Sequence, residues 1–95
     1  MKALPQQVKI GPITYNVVLV ERLANDGVYG QLVRSESVIE LNPTCGVQHQ
    51  RLTLFHEIIH GILDNAGISD HDEGLICALA AGFIGVLQDN PGILE

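Results

Sequence analysis

Short apolar runs separated by turn residues fill the first half of the chain. Four of these runs predict β-strands over residues 8–10, 13–20, 28–34 and 38–41. Gly11-Pro12 separates the first two and is typical of a tight turn between paired strands. Asn25-Asp26-Gly27 is a second turn signal, and Asn42-Pro43 ends the last run. The first half therefore predicts a small sheet, which we expect to be antiparallel.

The second half of the chain changes to a helical period. Apolar residues recur at spacings of three and four over residues 47–66, and they form one stripe: Leu52, Phe55, Ile59, Ile62, Leu63 and Ala66. Gly67 supplies a helix stop. A second helix is predicted from about Asp70 to Gln88, with Ser69 or Asp70 as its N-cap, and Asn90-Pro91-Gly92 closes it.

A chain of 95 residues is long enough for one domain with a modest core. The order of the elements predicts an α+β fold, in which a small N-terminal antiparallel sheet is followed by two packed helices. We expect residues 1–95 to form this single domain.

The run 74–87 carries no charged residue. It is too short to span a bilayer, which takes about 20 residues, so it predicts a helix that is covered on most sides rather than a membrane segment. One sheet and one partner helix leave part of such a helix uncovered in a small domain. The remaining apolar surface predicts a homodimer.

The charge and the cysteines narrow the functional class. The formal net charge is −6 and there is no basic stretch, which argues against a nucleic-acid partner. The N-terminal stretch 1–11 lacks the apolar run of a signal peptide. Cys45 and Cys77 match no zinc-knuckle spacing and are interpreted as free thiols. These features predict a cytoplasmic protein.

The segment His56-Glu57-Ile58-Ile59-His60 carries the candidate chemistry, because it matches the HExxH pattern of zinc-dependent hydrolases. Positions i and i+4 share one helix face, so His56 and His60 can bind one Zn²⁺ ion. Glu57 lies beside them, where it can accept a proton from an attacking water as a general base. The alternative interpretation is an amphipathic helix with two surface histidines, but the uncharged residues around the motif favour a shielded metal site.

Catalytic zinc usually takes three protein ligands, so a third must lie outside the motif. The candidates are His49, Asp64, His71, Asp72 and Glu73. A rise of about 1.5 Å per residue places Asp64 about 12 Å along the axis from His56, too far for one ion, and His49 is too far from His60. Asp64 is then a solvated carboxylate and His49 a surface or first-turn histidine.

An antiparallel second helix brings Glu73 back toward the metal. Glu73 is therefore the favoured third ligand, and His71 and Asp72 stay open as alternatives. A competing role for Glu73 is structural, because Asp70-x-x-Glu73 has the spacing of a capping box.

The segment 53–62, TLFHEIIHGI, resembles the active-site helix of the ImmA/IrrE family of metallopeptidases, which are common in phages and prophages. In that family a glutamate near the start of the following helix is the third zinc ligand, and an Ala-rich apolar segment follows it. Glu73 and the residues 78–83, ALAAGF, match that arrangement. The ending 86–90, VLQDN, also looks like the short phage members, so the resemblance covers residues 53–90.

This resemblance implies a minimal zincin-like fold and a zinc-dependent metallopeptidase that hydrolyses a protein or peptide substrate. Relatives of this kind cleave a repressor or another transcription regulator, which is the partner that the resemblance implies here. An extended substrate can add to an exposed strand edge near the metal, and residues 30–36 are the candidate edge. The rival interpretation is a non-catalytic phage protein that keeps the fold and binds a partner protein.

Overall fold

The computed structural model describes residues 4–95, so the first three residues of the N-terminal stretch lie outside it. Its strands are β1 (Gln7–Ile10), β2 (Ile13–Leu19), β3 (Gly30–Val33) and β4 (Val38–Leu41). Its helices are α1 (Glu21–Asp26), α2 (Val47–Asn65) and α3 (Glu73–Asp89). A 3-10 turn, Arg34–Glu36, joins β3 to β4. The predicted α+β architecture, a sheet followed by two packed helices, is confirmed.

The first two strands form the predicted hairpin. Ile10 pairs with Ile13, which leaves only Gly11 and Pro12 in the loop. Gly11 has a φ of 56°, a conformation that glycine adopts without steric cost and that a two-residue hairpin needs at its first loop position.

The sheet is mixed, whereas the sequence predicted an antiparallel one. The strand order within residues 4–95 is β1-β2-β4-β3, and β2 runs parallel to β4. The short helix α1, which the strand pattern did not predict, carries the chain away from β2 before β3 begins. β3 then takes the edge and the chain turns back, so β4 enters between β2 and β3.

The core lies between the sheet and α2. Ile10, Tyr15, Ile39, Leu41 and Leu54 form one buried cluster, and β4 occupies its centre because Ile39 and Leu41 are fully buried. Burying an aliphatic side chain of this size stabilises a fold by about 1.5–3 kcal/mol. The strand with the most deeply buried side chains holds one of the two inner positions of the sheet within the described residues.

Gly30 allows β3 to approach α2 closely. A Cβ atom at this position would lie 2.5 Å from the Thr53 methyl group and 2.8 Å from the Glu40 carbonyl oxygen. No side chain fits there without moving the strand. The edge strand therefore lies directly against the helix that carries the HExxH motif.

The connection between α2 and α3 is longer than predicted. α3 begins at Glu73 rather than near Asp70, and its N-cap is Asp72, not Ser69 or Asp70. The Asp72 side chain accepts a hydrogen bond from the Leu75 backbone N–H at 2.9 Å. Because the cap is the residue directly before Glu73, the alternative role of Glu73 in a capping box with Asp70 is excluded.

Helix α3 packs against α2 and buries only Ile76 and Ala80. Large apolar side chains on its other faces stay exposed, among them Leu75, Leu79, Phe83 and Val86. Within residues 4–95, no helix has the length and apolar character that crossing a membrane requires.

Candidate metal centre

The two histidines of the motif point to one side of α2. The rings of His56 and His60 have their centroids 4.9 Å apart, and their Nε2 atoms are separated by 3.2 Å. Their side chains are mostly buried, with 18% and 16% of the surface exposed. The i, i+4 spacing thus brings both Nε2 atoms to one point, as a shared metal ligand pair requires.

Glu73 closes the group from the first position of α3. Its Oε2 atom lies 2.9 Å from Nε2 of His56, and its Oε1 atom lies 2.8 Å from Nε2 of His60. The carboxylate therefore faces both imidazoles across the boundary between α2 and α3. The three residues predicted as ligands are brought together.

The other predicted candidates take different positions. Nδ1 of His71 lies 2.7 Å from Nδ1 of His60, on the edge of that ring opposite the Glu73 carboxylate. Asp72 is engaged as the N-cap of α3. His49 lies in the first turn of α2, where its ring contacts Tyr29 edge to face.

Asp64 is less solvated than the sequence suggested. Its side chain is only 16% exposed, because Oδ2 accepts a hydrogen bond from Nε of Arg34 at 2.6 Å and Oδ1 lies 3.4 Å from Nε2 of His71. The ion pair ties the end of β3 to the C-terminal turn of α2. Helical rise alone could not reveal a partner 30 residues away in sequence.

Glu57 is buried beside the three candidate ligands, with 8% of its surface exposed. Burial raises the pKa of its carboxyl above the usual value, and the nearby Glu73 carboxylate acts in the same direction. His56 and a hydrogen bond donated by the Leu32 backbone N–H both act to lower this pKa. A carboxylate in such a position has the raised basicity that a general base needs near neutral pH.

The same environment acts on His60. Burial lowers the pKa of its imidazole, and His56 and His71 contribute in the same direction, while the Glu73 carboxylate opposes the change. The net effect favours the neutral imidazole, which is the form that binds a metal ion.

Cys77 is a site residue that the sequence interpretation missed. Its Sγ atom lies 3.6 Å from Nδ1 of His56, and His56, Glu73 and Cys77 form a group with donor atoms within 4.8 Å of one another. The available signal was the i, i+4 spacing from Glu73 to Cys77, which places both on one face of α3. Both cysteines are free, as predicted.

Two donor sets therefore share His56 and Glu73. One adds His60 at 2.8 and 3.2 Å from the other donors, and the second adds Cys77. Cys77 approaches Nδ1 of His56, whereas Nε2 of the same ring faces Glu73 and His60. The His56-His60-Glu73 set is the more convergent of the two.

The donor set fits a metal ion. Two ligand atoms about 2.0–2.1 Å from a tetrahedral zinc lie about 3.4 Å apart. The observed separations of 2.8, 2.9 and 3.2 Å are a few tenths of an ångström shorter, so small rotations of the two imidazoles and of the exposed Glu73 side chain make room for an ion. Residues of this chain could hold a metal ion at this point.

An open cleft crosses the centre. One cavity of about 390 Å³ is lined by Tyr29, His49, Leu52 and Ala80, and a second of about 360 Å³ is lined by Gln31, Leu32 and Arg34. Both are also lined by Gly30, His56, Glu57 and Glu73. The two cavities therefore meet at the candidate metal centre, with β3 along one arm and apolar side chains in the other.

Tyr15, Tyr29 and His71 carry groups that can donate a hydrogen bond to a substrate. Tyr15 is buried in the core and does not line this cleft. Tyr29 lines the cleft and is 61% exposed. His71 is engaged with His60 and with the Ile68 carbonyl oxygen. Tyr29 is therefore the one of the three that faces the space beside Glu57.

Comparison with known proteins gives no match to a family model, a curated protein or a solved structure. The resemblance of residues 53–90 to the ImmA/IrrE family thus stays a prediction from the sequence.

Proposed function

We propose that this protein is a zinc-dependent metallopeptidase, with His56, His60 and Glu73 as the metal ligands and Glu57 as the general base. The observation that carries the proposal is the convergence of three side chains, whose facing donor atoms are 2.8–3.2 Å apart, beside a buried carboxylate. Two imidazoles and one carboxylate are a common donor set of catalytic zinc, and they leave a coordination position open.

A zinc ion held by these donors would supply Lewis acidity, which acidifies a coordinated water and polarises a peptide carbonyl. Glu57 accepts the proton of the attacking water and then donates it to the amine that leaves. Its raised pKa suits both halves of this transfer. Tyr29 is exposed in the same cleft and would donate a hydrogen bond to the developing oxyanion.

An extended peptide is the substrate form that suits the cleft. β3 lies at the edge of the sheet within the described residues, and its Leu32 N–H already reaches the Glu57 carboxylate. A peptide laid along this edge adds a strand and passes the metal centre. The apolar arm beside Leu52 and Ala80 then receives one of its side chains.

The resemblance to the ImmA/IrrE family supports a protein substrate, and the class of partner it suggests is a transcription regulator. The free cysteines agree with a cytoplasmic protein. Nucleic acid and membrane partners are not part of the proposal, because the net charge is −6 and no basic stretch is present.

The test of this function is proteolysis by the zinc-loaded protein. An unfolded protein mixture is incubated with wild type or with Glu57→Gln, and new N-termini are identified by mass spectrometry. We expect cleavage by wild type only, while Glu57→Gln keeps its metal because Glu57 is not a ligand. Equal cleavage by both proteins would exclude Glu57 as the base, and no cleavage by either with intact metal would count against a general peptidase.

A second candidate function is partner binding without catalysis. The exposed apolar side chains of α3 favour it, since contiguous surfaces of this kind mark interaction sites. The buried carboxylate of Glu57 argues for the enzyme, because a purely structural metal site needs no general base.

A further inference from the structure

His60 uses both of its ring nitrogens. Its Nε2 atom lies 2.8 Å from Glu73, and its Nδ1 atom lies 2.7 Å from Nδ1 of His71. The second nitrogen of His71, Nε2, lies 2.7 Å from the Ile68 carbonyl oxygen. A continuous chain of three close polar contacts therefore runs from a backbone carbonyl through two imidazoles to the candidate metal centre.

The direction of this chain follows from what each atom can donate. A carbonyl oxygen only accepts, so Nε2 of His71 carries a hydrogen and donates it to Ile68. A neutral imidazole has one N–H, which leaves Nδ1 of His71 as an acceptor. The hydrogen between the two rings must then belong to Nδ1 of His60, and the lone pair of His60 lies on Nε2, toward Glu73 and His56.

We infer that His71 is a positioning residue that holds His60 in the tautomer and ring orientation required of a metal ligand. This inference rests on the proposed metal site. It gives His71, which the sequence left open as an alternative ligand, a different role. Metal-binding histidines generally donate their second N–H to a fixed acceptor, which orients the ring and increases its basicity. Here the acceptor is a second imidazole.

The loop that carries His71 is itself fixed to the end of α2. The Ile68 N–H donates to the Leu63 carbonyl at 2.9 Å, and the Gly67 N–H donates to the Asp64 carbonyl at 3.0 Å. The His71 side chain is only 10% exposed and lies 3.4 Å from Asp64, which Arg34 holds from the other side. His71 is therefore anchored well enough to orient another side chain.

His56 lacks an equivalent support. Among residues 4–95, the polar contact of its Nδ1 atom is the Cys77 sulfur at 3.6 Å, and a thiol sulfur is a weak acceptor. His60 is accordingly the better oriented of the two ligands, and its orientation depends on a residue outside the HExxH motif.

Two variants separate positioning from packing. In His71→Asn the side-chain oxygen is attached to Cγ, as Nδ1 is in histidine, so an acceptor is retained; in His71→Leu the volume is kept and the acceptor is lost. We expect zinc affinity to fall about 10–100-fold in His71→Leu, as for other removed partners of metal-bound histidines, and to stay within a few-fold of wild type in His71→Asn. Equal affinity in wild type and His71→Leu would overturn the inference, as would an equal loss in both variants with the fold intact by circular dichroism.

The spectroscopic test is nitrogen NMR of ¹⁵N-histidine-labelled wild type at about pH 8, where ordinary imidazoles are neutral. We expect a scalar coupling across the hydrogen bond between Nδ1 of His60 and Nδ1 of His71, with the proton assigned to His60. A zinc-dependent shift of His71 Nδ1 that marks direct coordination would overturn the positioning role. The coupling reports on the histidine pair with or without the metal. Wild-type protein that binds no zinc would therefore contradict the proposed function without affecting the result of the coupling measurement.

Discussion

The Glu73 carboxylate lies 2.8 Å from Nε2 of His60, although the two residues belong to different helices. The contact depends on the cap of α3. Asp72 ends the connection and starts the helix, so the following side chain is directed back toward α2. The proposed ligand Glu73 and the cap Asp72 are therefore adjacent but separate residues, which makes their roles separable by mutation.

Glu73→Gln is expected to weaken zinc binding strongly, because an uncharged amide replaces the one carboxylate among the three proposed ligands. Folding stability should change little, since the cap hydrogen bond belongs to Asp72. Asp72→Ala is the matched control: it should cost about 1 kcal/mol of stability and keep zinc affinity near wild type. Calorimetric zinc titration and urea denaturation measure the two effects. Unchanged zinc affinity in Glu73→Gln together with a loss of affinity in Asp72→Ala would mean that Glu73 is not a ligand.

Cys77→Ser should retain zinc, because the Cys77 sulfur approaches Nδ1 of His56 while Nε2 of that ring faces the other donors. His60→Ala should lose most of the affinity. Cobalt substitution gives an independent measurement, since a thiolate ligand produces intense charge-transfer absorption in the near ultraviolet. We expect no such band in cobalt-loaded wild type. A band that disappears in Cys77→Ser would mean that Cys77 is a ligand.

Glu57→Gln is expected to stabilise the metal-free protein at neutral pH. Burial raises the pKa of the Glu57 carboxyl above 4.5, so the folded state favours the protonated form. The stability that Glu57 contributes is complete below that value and is lost as pH rises through the folded-state pKa. Glutamine stays neutral and can still accept the Leu32 hydrogen bond. Melting temperatures in chelator should therefore diverge as pH rises from about 4.5, and curves that stay parallel would contradict this.

The apolar pattern of the sequence was sufficient to predict the main helix that carries the candidate site. Helix α2 begins at Val47 as predicted, because a long apolar stripe at helical spacing leaves little choice of structure. Helix geometry also predicted that His56 and His60 share one face of α2. The chain reversal after Gly67 predicted that Glu73 would return toward these histidines, as it does. Strand β4 was also predicted at its observed bounds.

Strand order and contacts between distant segments could not be predicted from the sequence pattern. β4 lies between β2 and β3 because the chain passes through α1 to the edge strand β3 before it turns back. The alternation of apolar residues along a strand does not determine which strands are its neighbours. The contact of His71 with His60 arises from the shape of the loop before α3. The proximity of Cys77 to His56 depends on how two helices pack.

Self-association through α3 is expected, with a second copy of the chain as the partner. Leu75, Leu79, Phe83 and Val86 recur at helical spacing and are exposed, and residues 74–87 carry no charge. Two chains with a net charge of −6 can approach at such a surface without direct like-charge contact. We expect a dimer by light scattering, a monomer for Leu79→Glu with Phe83→Glu, and an unchanged dimer for Gln88→Glu. A wild-type monomer at high concentration would exclude this interface.

The most direct measurement of the central claim is the zinc content of the protein. Wild type is purified without chelator, reconstituted with zinc, freed of excess metal and examined by elemental analysis beside His56→Ala. Three convergent donors predict about one zinc per wild-type chain and a large loss in the variant. Folded wild-type protein that stays metal-free after reconstitution, or a variant that retains the full zinc content, would contradict the account.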